Sequence, residues 1–326
     1  MNQLERSQSI VDALSFGDEV RFEDYFSPEE ESKIKDSKVF RQDVVDSILN
    51  PHSAKGLLLP WKKTIDFRIR KGETTVHTGY NGHRKSMMLG VIQLGLMTQG
   101  GKCLTISLEM PPVKTIRRQI AQHSGIGIND YGVKDTDSFY NFVSDNHLIY
   151  DQIGTMKWKK VVGICRYAIN NLGAEYLFID SLLKCGIMKG DYDTQCLFVD
   201  ELTTLAKDTN TSIHLVAHSK KPSEIKSNNS GENKPPDKYA ISGAAEISDM
   251  VDNVLIHHKL SPDAVTINDQ GNSYDQFIYV GKQRDPQGED AEPIFGFEFN
   301  PMNLQFKSYS NTPKMSPDDW ADGNFL

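Results

Sequence analysis

The segment from Gly79 to Ser86 has residue types that could bind a phosphate group. Its sequence, GYNGHRKS, follows the strand-like run TTVHT and precedes a run with helical apolar spacing. Backbone N–H groups at a helix start attract anions, a lysine can reach terminal phosphate oxygens, and a serine hydroxyl can hold Mg²⁺. We therefore predict a phosphate-binding loop with these residues: Gly79, Asn81, Gly82, His83, Arg84, Lys85 and Ser86.

Arg84 stands where loops of the pattern GxxxxGKS carry their last glycine. Glycine adopts left-handed backbone conformations easily, whereas a residue with a Cβ atom resists them. Two interpretations stay open. Either the loop tolerates the arginine, or the side chain crowds the loop or its cation takes the place of the phosphate. A chance loop is the remaining alternative.

Two acidic residues end apolar strand-like runs. Asp180 ends YLFID, and Glu109 ends CLTISLE. Ligands of open α/β sheets bind beyond the carboxyl ends of the strands, where a carboxylate can hold Mg²⁺. We predict that Asp180 holds the ion together with Ser86, and that Glu109 activates or orients an attacking water. An ordinary buried strand end and a helix-capping acid are the alternatives.

Three further polar residues end strand-like runs. His218 ends SIHLVAH and could detect a terminal phosphate, although a lone histidine is more often a core or surface residue. Lys282 and Arg284 follow FIYVG and, being two residues apart on a strand, point the same way. They could clamp a phosphate, including that of a neighbouring subunit in the manner of an arginine finger. A solvated basic strand end is the alternative.

Strand-like and helical patterns alternate from Lys71 to His218, which indicates βαβ units and a mainly parallel sheet. From Asn253 onward the sequence is rich in strand-like runs, so we expect antiparallel strands near the C-terminus. Between the two parts, residues 221–240 are a polar loop rich in Pro, Gly and Asn that cannot fill a core. The predicted fold class is α/β, with a P-loop NTPase core.

Taken in order, several motifs resemble those of DnaB-type (superfamily 4) replicative ring helicases: GYNGHRKS, SLEM, LFIDS, HLVAHSKKP, ISGAAEISDMVDNVLIHHK and KQRD. They are most similar to the helicase domains of phage primase-helicases and of Twinkle, and the resemblance covers roughly residues 50–310. It implies a RecA-like ATPase that binds ATP and Mg²⁺ at the subunit interfaces of a hexameric ring. It also implies translocation on single-stranded DNA.

The resemblance assigns a role to each residue of the nucleotide site. It makes Lys85 and Ser86 the ligands of phosphate and Mg²⁺, Glu109 the catalytic base and Asp180 the Walker B acid. His218 matches the sensor of the γ-phosphate.

The resemblance also places residues outside that site. Lys282 and Arg284 match the pair that reaches the nucleotide of the adjacent subunit. The DNA-binding loops would fall near residues 220–243, although a solvated linker is the alternative there. The candidate contacts to DNA phosphates are Lys220, Lys221, Lys226, Lys234 and Lys238.

We predict three regions in the chain. Residues 1–50 form a charged N-terminal arm or linker, in which the helical apolar spacing from Val39 to Leu49 marks the part that could hold a neighbouring subunit. Residues 51–310 form the ATPase domain, and residues 311–326 form an acidic, aromatic tail that cannot fold alone. The tail would contact a replisome protein such as a polymerase, or else be inert, and its candidate contacts are Asp318, Asp319, Trp320, Asp322 and Phe325.

Composition narrows the function further. The 326 residues are 38% hydrophobic and 25% charged, and the net charge of −8 excludes a basic surface all round, so any contact with nucleic acid must be local. No apolar run approaches the roughly 20 residues that span a bilayer, and no signal peptide begins the chain. We expect a cytoplasmic protein, in the host cell if it is encoded by a phage.

Two classes of function stay open. The first is an active, ATP-driven DNA helicase, which the presence of Glu109, Asp180 and His218 favours because a decayed ATPase would lose some of them. The second is a catalytically impaired ring subunit that binds nucleotide or DNA, which Arg84 favours. A recombination or loader ATPase of the RecA superfamily fits the motifs SLEM and KQRD less well.

Overall fold

The strand-like runs of the sequence form one sheet with both faces covered. The computed structural model describes residues 34–49, 56–188, 190–220, 235–241, 246–265, 271–284 and 293–324. Within these ranges the strands of the main sheet are Thr74–Thr78 (β3), Cys103–Ser107 (β4), His147–Ile149 (β5), Tyr176–Asp180 (β6), Ser212–Val216 (β7), Asn253–Lys259 (β8), Gln276–Gln283 (β9), Ile294–Phe299 (β10) and Phe306–Lys307 (β11). A second, two-stranded antiparallel sheet pairs Leu57–Leu58 (β1) with Arg68–Ile69 (β2).

The order of strands in the main sheet is β11-β10-β9-β8-β3-β7-β6-β4-β5. The six strands from β8 to β5 pair in parallel, whereas β9, β10 and β11 pair antiparallel. The predicted α/β class, with a mainly parallel sheet and antiparallel strands near the C-terminus, is confirmed. Because parallel strands point the same way, the loops that follow them meet at one edge of the sheet.

Helices cover both faces of the sheet. Those of residues 56–326 are Lys85–Thr98 (α2), Pro112–Ser124 (α3), Val133–Val143 (α4), Trp158–Leu172 (α5), Tyr192–Thr209 (α6), Ile247–Met250 (α7) and Pro317–Asp322 (α8), with 3₁₀ turns at Lys62–Thr64, Ser144–Asn146, Leu182–Lys184, Lys238–Ala240 and Pro262–Ala264. One apolar core lies between the sheet and α2, α3, α4 and α8, and the other lies against α5, α6 and α7. In the part of the chain described here, each helix is too short or too polar to cross a bilayer.

Alternate side chains of β6 show how the central strands serve both cores. Tyr176 and Phe178 lie in the core with α2, whereas Leu177 and Ile179 lie in the core with α5 and α6. A strand buried on both faces needs apolar residues at nearly every position, which is why this run is continuously apolar.

The chain divides into two compact units, residues 1–55 and residues 56–326. In the first unit, a 3₁₀ turn at Ser37–Phe40 leads into a helix at Arg41–Leu49 (α1). The helical spacing from Val39 to Leu49 therefore predicts a helix correctly. Its apolar side chains are exposed to solvent: Val39, Phe40, Val44, Ile48 and Leu49.

Three buried histidines form a hydrogen-bonded row across β7, β3 and β8. A nitrogen–nitrogen distance of 2.9 Å joins His77 to His214, and one of 3.0 Å joins His77 to His257. The ring of Phe178 stacks on His214 with 4.4 Å between ring centroids. Burial lowers the pKa of His214 and of His257 to about 3, and it holds the pKa of His77 well below the ordinary value. The row is therefore uncharged at neutral pH.

We expect the free energy of unfolding to fall as the pH drops from about 7.5 to about 5.5. The unfolded chain protonates its histidines near their ordinary pKa of about 6.5, while His214 and His257 stay neutral in the folded chain. The unfolded state then binds more protons, and each histidine of the row costs roughly 1 kcal/mol at pH 5.5. Urea unfolding at several pH values, for the native protein and for His257→Gln, measures the contribution of one imidazole. An identical pH dependence in the two proteins would contradict the assignment.

The C-terminal segment folds onto the core, contrary to the expectation of a tail that cannot fold. Ser316 and Asp319 cap the start of α8 through reciprocal hydrogen bonds. Trp320 is fully buried in the core with α2, α3 and α4. The predicted contact of Trp320 with a partner protein is therefore wrong, because its indole ring offers no surface. Asp318 and Asp322 are exposed, whereas Phe325 lies outside the described residues.

Replacing Trp320 with alanine should lower the free energy of unfolding by about 3–5 kcal/mol, because it opens a cavity in the core. Asp322→Ala, on the exposed side of the same helix, is the matched control and should change stability by no more than about 0.5 kcal/mol. Denaturant unfolding of the two variants measures the difference. Equal losses would show that α8 is not part of the core in solution.

Candidate phosphate-binding site

The loop from Gly79 to Ser86 joins β3 to α2. Gly79 has φ 144°, and a Cβ atom there would lie 2.2 Å from the carbonyl oxygen of His257, so only glycine fits. Gly82, with φ 80°, also has a left-handed conformation. The loop therefore has the strand–loop–helix context that phosphate binding requires, with its last residues at the start of α2.

The amine of Lys85 lies inside this loop. It donates hydrogen bonds to the carbonyl oxygens of Gly79 and Tyr80, at 2.8 and 2.9 Å. Burial lowers the pKa of Lys85 to about 8, although the nearby carboxylates of Asp180 and Glu109 oppose that shift. The amine therefore remains protonated at neutral pH, in a position to attract an anion at the loop.

Four candidate residues meet at the carboxyl ends of four adjacent strands. Gly79 follows β3, His218 follows β7, Asp180 ends β6, and Glu109 follows β4. These strands are neighbours in the sheet in that order. Their parallel pairing explains why residues far apart in the sequence lie together here.

The hydroxyl of Ser86 donates a hydrogen bond to Oδ2 of Asp180, at 2.5 Å. Burial raises the pKa of the Asp180 carboxyl, and the hydrogen bond from Ser86 partly offsets that effect. A hydroxyl and a carboxylate are oxygen ligands of the kind that Mg²⁺ prefers. The pair therefore fits the predicted ion.

Glu109 is held by two neighbours. The hydroxyl of Ser181 donates to Oε1 of Glu109 at 2.6 Å, and Nε2 of His218 lies 3.9 Å from the same oxygen, within ion-pair range but too far for a hydrogen bond. His218 lowers the pKa of Glu109 most, and Ser181 adds to this against the opposing effect of burial, so that the pKa is about 2. A carboxylate with this pKa is ionised at neutral pH. It is better suited to orienting and polarising a water than to removing its proton completely.

Arg84 has the left-handed conformation that the glycine pattern requires, with φ 60° and ψ 21°. This conformation costs a residue with a Cβ atom roughly 1–2 kcal/mol. Its guanidinium does not occupy the position of the Lys85 amine. It forms an ion pair with Asp275, at 2.6 Å, and stacks on the ring of Phe299, with Cζ 4.0 Å from the centroid.

The other loop residues divide between the sheet and solvent. Nδ1 of His83 accepts a hydrogen bond from the backbone N–H of Lys259 at 3.0 Å, so its ring faces the end of β8. Burial, with neighbouring cations, lowers the pKa of His83 to about 4 and keeps the ring neutral. Asn81 and Gly82 are exposed.

Lys282 and Arg284 do not join this group of residues within the chain. Residue 283 pairs with Asn253 at the start of β8, so the two cations lie at the opposite edge of the sheet from the phosphate loop. Lys282 donates to three backbone carbonyls, those of residues 248, 249 and 251. Nε of Arg284 lies 3.0 Å from the buried carboxylate of Asp252.

Two of the candidate DNA-binding lysines are described. Lys220 follows Ser219, which forms an isolated antiparallel bridge with Ile241 near the phosphate loop. Lys238 begins a 3₁₀ turn, and its backbone carbonyl accepts a hydrogen bond from Ser248. The other three, Lys221, Lys226 and Lys234, lie outside the described residues.

The anchor of Arg84 could not be found from the sequence. Asp275 and Phe299 lie about 190 and 215 residues further along the chain, and neither belongs to a recognisable motif. Their proximity arises because β9 and β10 fold back antiparallel beside β8. A single acidic residue before a strand carries no signal for such a contact.

A comparison with known protein families finds no match for the chain. Among solved structures, its fold is similar to the ATPase domain of a phage helicase, with a TM-score of 0.67 and 13% sequence identity, over 84% of this chain and 99% of that one. It is also similar to a DnaB-like replicative helicase studied with its interactions with primase, with a TM-score of 0.64 and 12% identity, over 93% of this chain and 75% of that one. At these identities the likeness establishes a shared fold, that of the RecA-like helicase ATPases.

Proposed function

We propose that this protein is an ATP-dependent DNA helicase motor of a replisome, which assembles as a hexameric ring and translocates on single-stranded DNA. One observation carries the proposal: five residues with the chemistry of ATP hydrolysis converge at the carboxyl ends of adjacent parallel strands. They are Lys85, Ser86, Glu109, Asp180 and His218. The fold shared with a DnaB-like helicase and with the ATPase domain of a phage helicase supports it.

In this proposal the loop binds the phosphates of ATP. Backbone N–H groups at the start of α2 and the protonated amine of Lys85 face the anion. Ser86 and Asp180 would hold Mg²⁺, which when bound neutralises charge on the phosphates. A phosphate oxygen that accepts from Lys85 would compete with the carbonyls of Gly79 and Tyr80 for this amine.

Glu109 would orient the attacking water. Among the described residues, both of its polar contacts, from Ser181 and His218, fall on Oε1. Oε2 is thereby left to accept a hydrogen from the water. His218, between Glu109 and the end of β7, is placed to respond to a terminal phosphate.

Lys282 and Arg284 would act on a neighbouring subunit. They lie at the opposite edge of the sheet from the phosphate loop, too far to serve the site of their own chain. A ring of identical subunits can bring this edge against the nucleotide of the next subunit, where a cation stabilises charge that develops on the phosphate. The exposed apolar side chains of α1 would form the arm that holds a neighbour.

Single-stranded DNA would bind at the loop of residues 220–243. Lysines on such a loop can contact backbone phosphates although the protein carries a net charge of −8. Such binding weakens steeply with salt, because each contact releases counterions. A cytoplasmic location and a replisome partner also remain predictions.

The side chain of Arg84 favours an active enzyme over an impaired ring subunit. Its guanidinium is paired with Asp275 and stacked on Phe299, so it neither crowds the phosphates nor replaces them. The outcome that would instead favour the impaired subunit is an inactive native protein beside a strongly active Arg84→Gly variant.

Glu109→Gln should bind nucleotide but lower the turnover of ATP stimulated by single-stranded DNA at least 100-fold, because the amide cannot polarise the water. Lys85→Ala should abolish nucleotide binding, since it removes the cation inside the loop. A phosphate-release assay and the binding of a fluorescent ATP analogue, with the native protein as control, measure the two effects. Nucleotide binding that persists in Lys85→Ala would show that the site is misplaced.

Mixing Glu109→Gln subunits with Arg284→Gln subunits should restore part of the turnover that each variant alone has lost. Some interfaces of a mixed ring combine an intact Glu109 with an intact Arg284 from the neighbour. The assay is ATP turnover across a series of mixing ratios, with native mass spectrometry to verify mixed assemblies. Mixed rings that remain inactive would indicate that Arg284 does not act between subunits.

A further inference from the structure

Arg84 makes two contacts that a glycine could not make. Nη1 lies 2.6 Å from Oδ2 of Asp275, and the guanidinium stacks on Phe299. The Arg84 side chain is only 14% exposed and that of Asp275 is 24% exposed. A pair screened from water to this extent is stronger than a typical surface ion pair.

Asp275 is itself fixed in place. Its Oδ1 accepts the backbone N–H of Phe299 at 2.8 Å, its own N–H donates to Phe297 at 3.1 Å, and its carbonyl accepts from Leu260 at 3.0 Å. These bonds attach it to the end of β8 and to β10. The partner of Arg84 is thus a rigid point in the sheet and not a flexible surface acid.

The residue before Arg84 is attached to the same region. The ring of His83 accepts the N–H of Lys259 at 3.0 Å, and its carbonyl accepts from the side chain of Gln276 at 3.4 Å. Two consecutive residues at the end of the phosphate loop are therefore tied to β8 and β9. Asp180 and Glu109 lie on the other side of β3, so these ties leave the catalytic half of the site unobstructed.

We propose that Arg84 is a positioning residue, whose ion pair with Asp275 holds the last turn of the phosphate loop in a left-handed conformation that glycine would adopt unaided. Without the pair, residue 84 relaxes toward the right-handed region that side chains prefer. The N–H groups of Lys85 and Ser86 then turn away from the phosphate. The inference rests on the proposed function, because it concerns nucleotide binding by this loop.

The pair can be tested with a double-mutant cycle in the full-length chain. Arg84→Gln keeps a Cβ atom but removes the cation, and Asp275→Asn keeps an acceptor for Phe299 but removes the anion. Each should raise the Kd of a fluorescent ATP analogue with Mg²⁺ about tenfold, equivalent to about 1.4 kcal/mol, and the double variant should be no worse than either. Asp263→Asn, a change at an exposed acid in the 3₁₀ turn after β8, is the matched control and should leave the Kd unchanged.

A glycine at position 84 separates positioning from a general loss of structure. Arg84→Gly should bind the analogue more tightly than Arg84→Gln, because glycine needs no anchor for this conformation. On the Arg84→Gly background, Asp275→Asn should change the Kd less than twofold. If Asp275→Asn fails to fold, the comparison of Arg84→Gln with Arg84→Gly decides alone.

Additive effects of Arg84→Gln and Asp275→Asn, or an equal effect of Asp275→Asn on both backgrounds, would overturn the inference. So would equal affinities of the Arg84→Gln and Arg84→Gly variants. Lys85→Ala distinguishes this result from failure of the proposed function. Equal binding by Lys85→Ala and the native protein contradicts the proposed function, whereas native-specific binding that Asp275→Asn leaves unaffected contradicts only the positioning role.

Discussion

The parallel hydrogen-bonded pairing of β8, β3, β7, β6 and β4 is the constraint on which the candidate site depends. Strands that run in parallel end at one edge, so each following loop starts beside the next. The phosphate loop after β3 and the acids of β4 and β6 lie together for this reason alone. A register shift of one residue would turn each strand's inward side chains outward and disperse the site.

Burial gives the site its electrostatic character. The amine of Lys85 and the carboxylate of Asp180 are both removed from water, which raises the pKa of the acid and lowers that of the base. Each therefore depends on near neighbours: carbonyls of the loop for Lys85, and the Ser86 hydroxyl for Asp180. A ligand carrying phosphate and a divalent cation matches these groups in charge and in hydrogen bonding.

The antiparallel strand β9 connects two features that the sequence separates. Asp275, just before its start, is paired with Arg84 of the phosphate loop, and Lys282 and Arg284 lie at its other end. The eight residues of β9 extend over roughly 25 Å at the usual rise per residue. The strand thus reaches from the phosphate loop to the edge at which a neighbouring subunit would lie.

Much of the molecule follows from local sequence. The alternation of apolar strands and amphipathic helices determines the α/β class, and the order of polar residues after those strands identifies most of the site, because parallel strands place such residues at one edge by geometry. Local sequence also indicates the helix from Val39 to Leu49, whose spacing repeats with the period of an α-helix.

Tertiary structure alone decided the rest. The composition of residues 311–326 suggested a solvated tail, yet Trp320 is buried because helices α2, α3 and α4 leave an apolar space that only the folded chain creates. The row of His77, His214 and His257 forms across three strands that are far apart in sequence. Likewise, an arginine in place of a loop glycine looks disruptive until Asp275 is seen beside it. Local pattern determines which elements form and where their ends lie, whereas contacts between distant residues depend on how those elements pack.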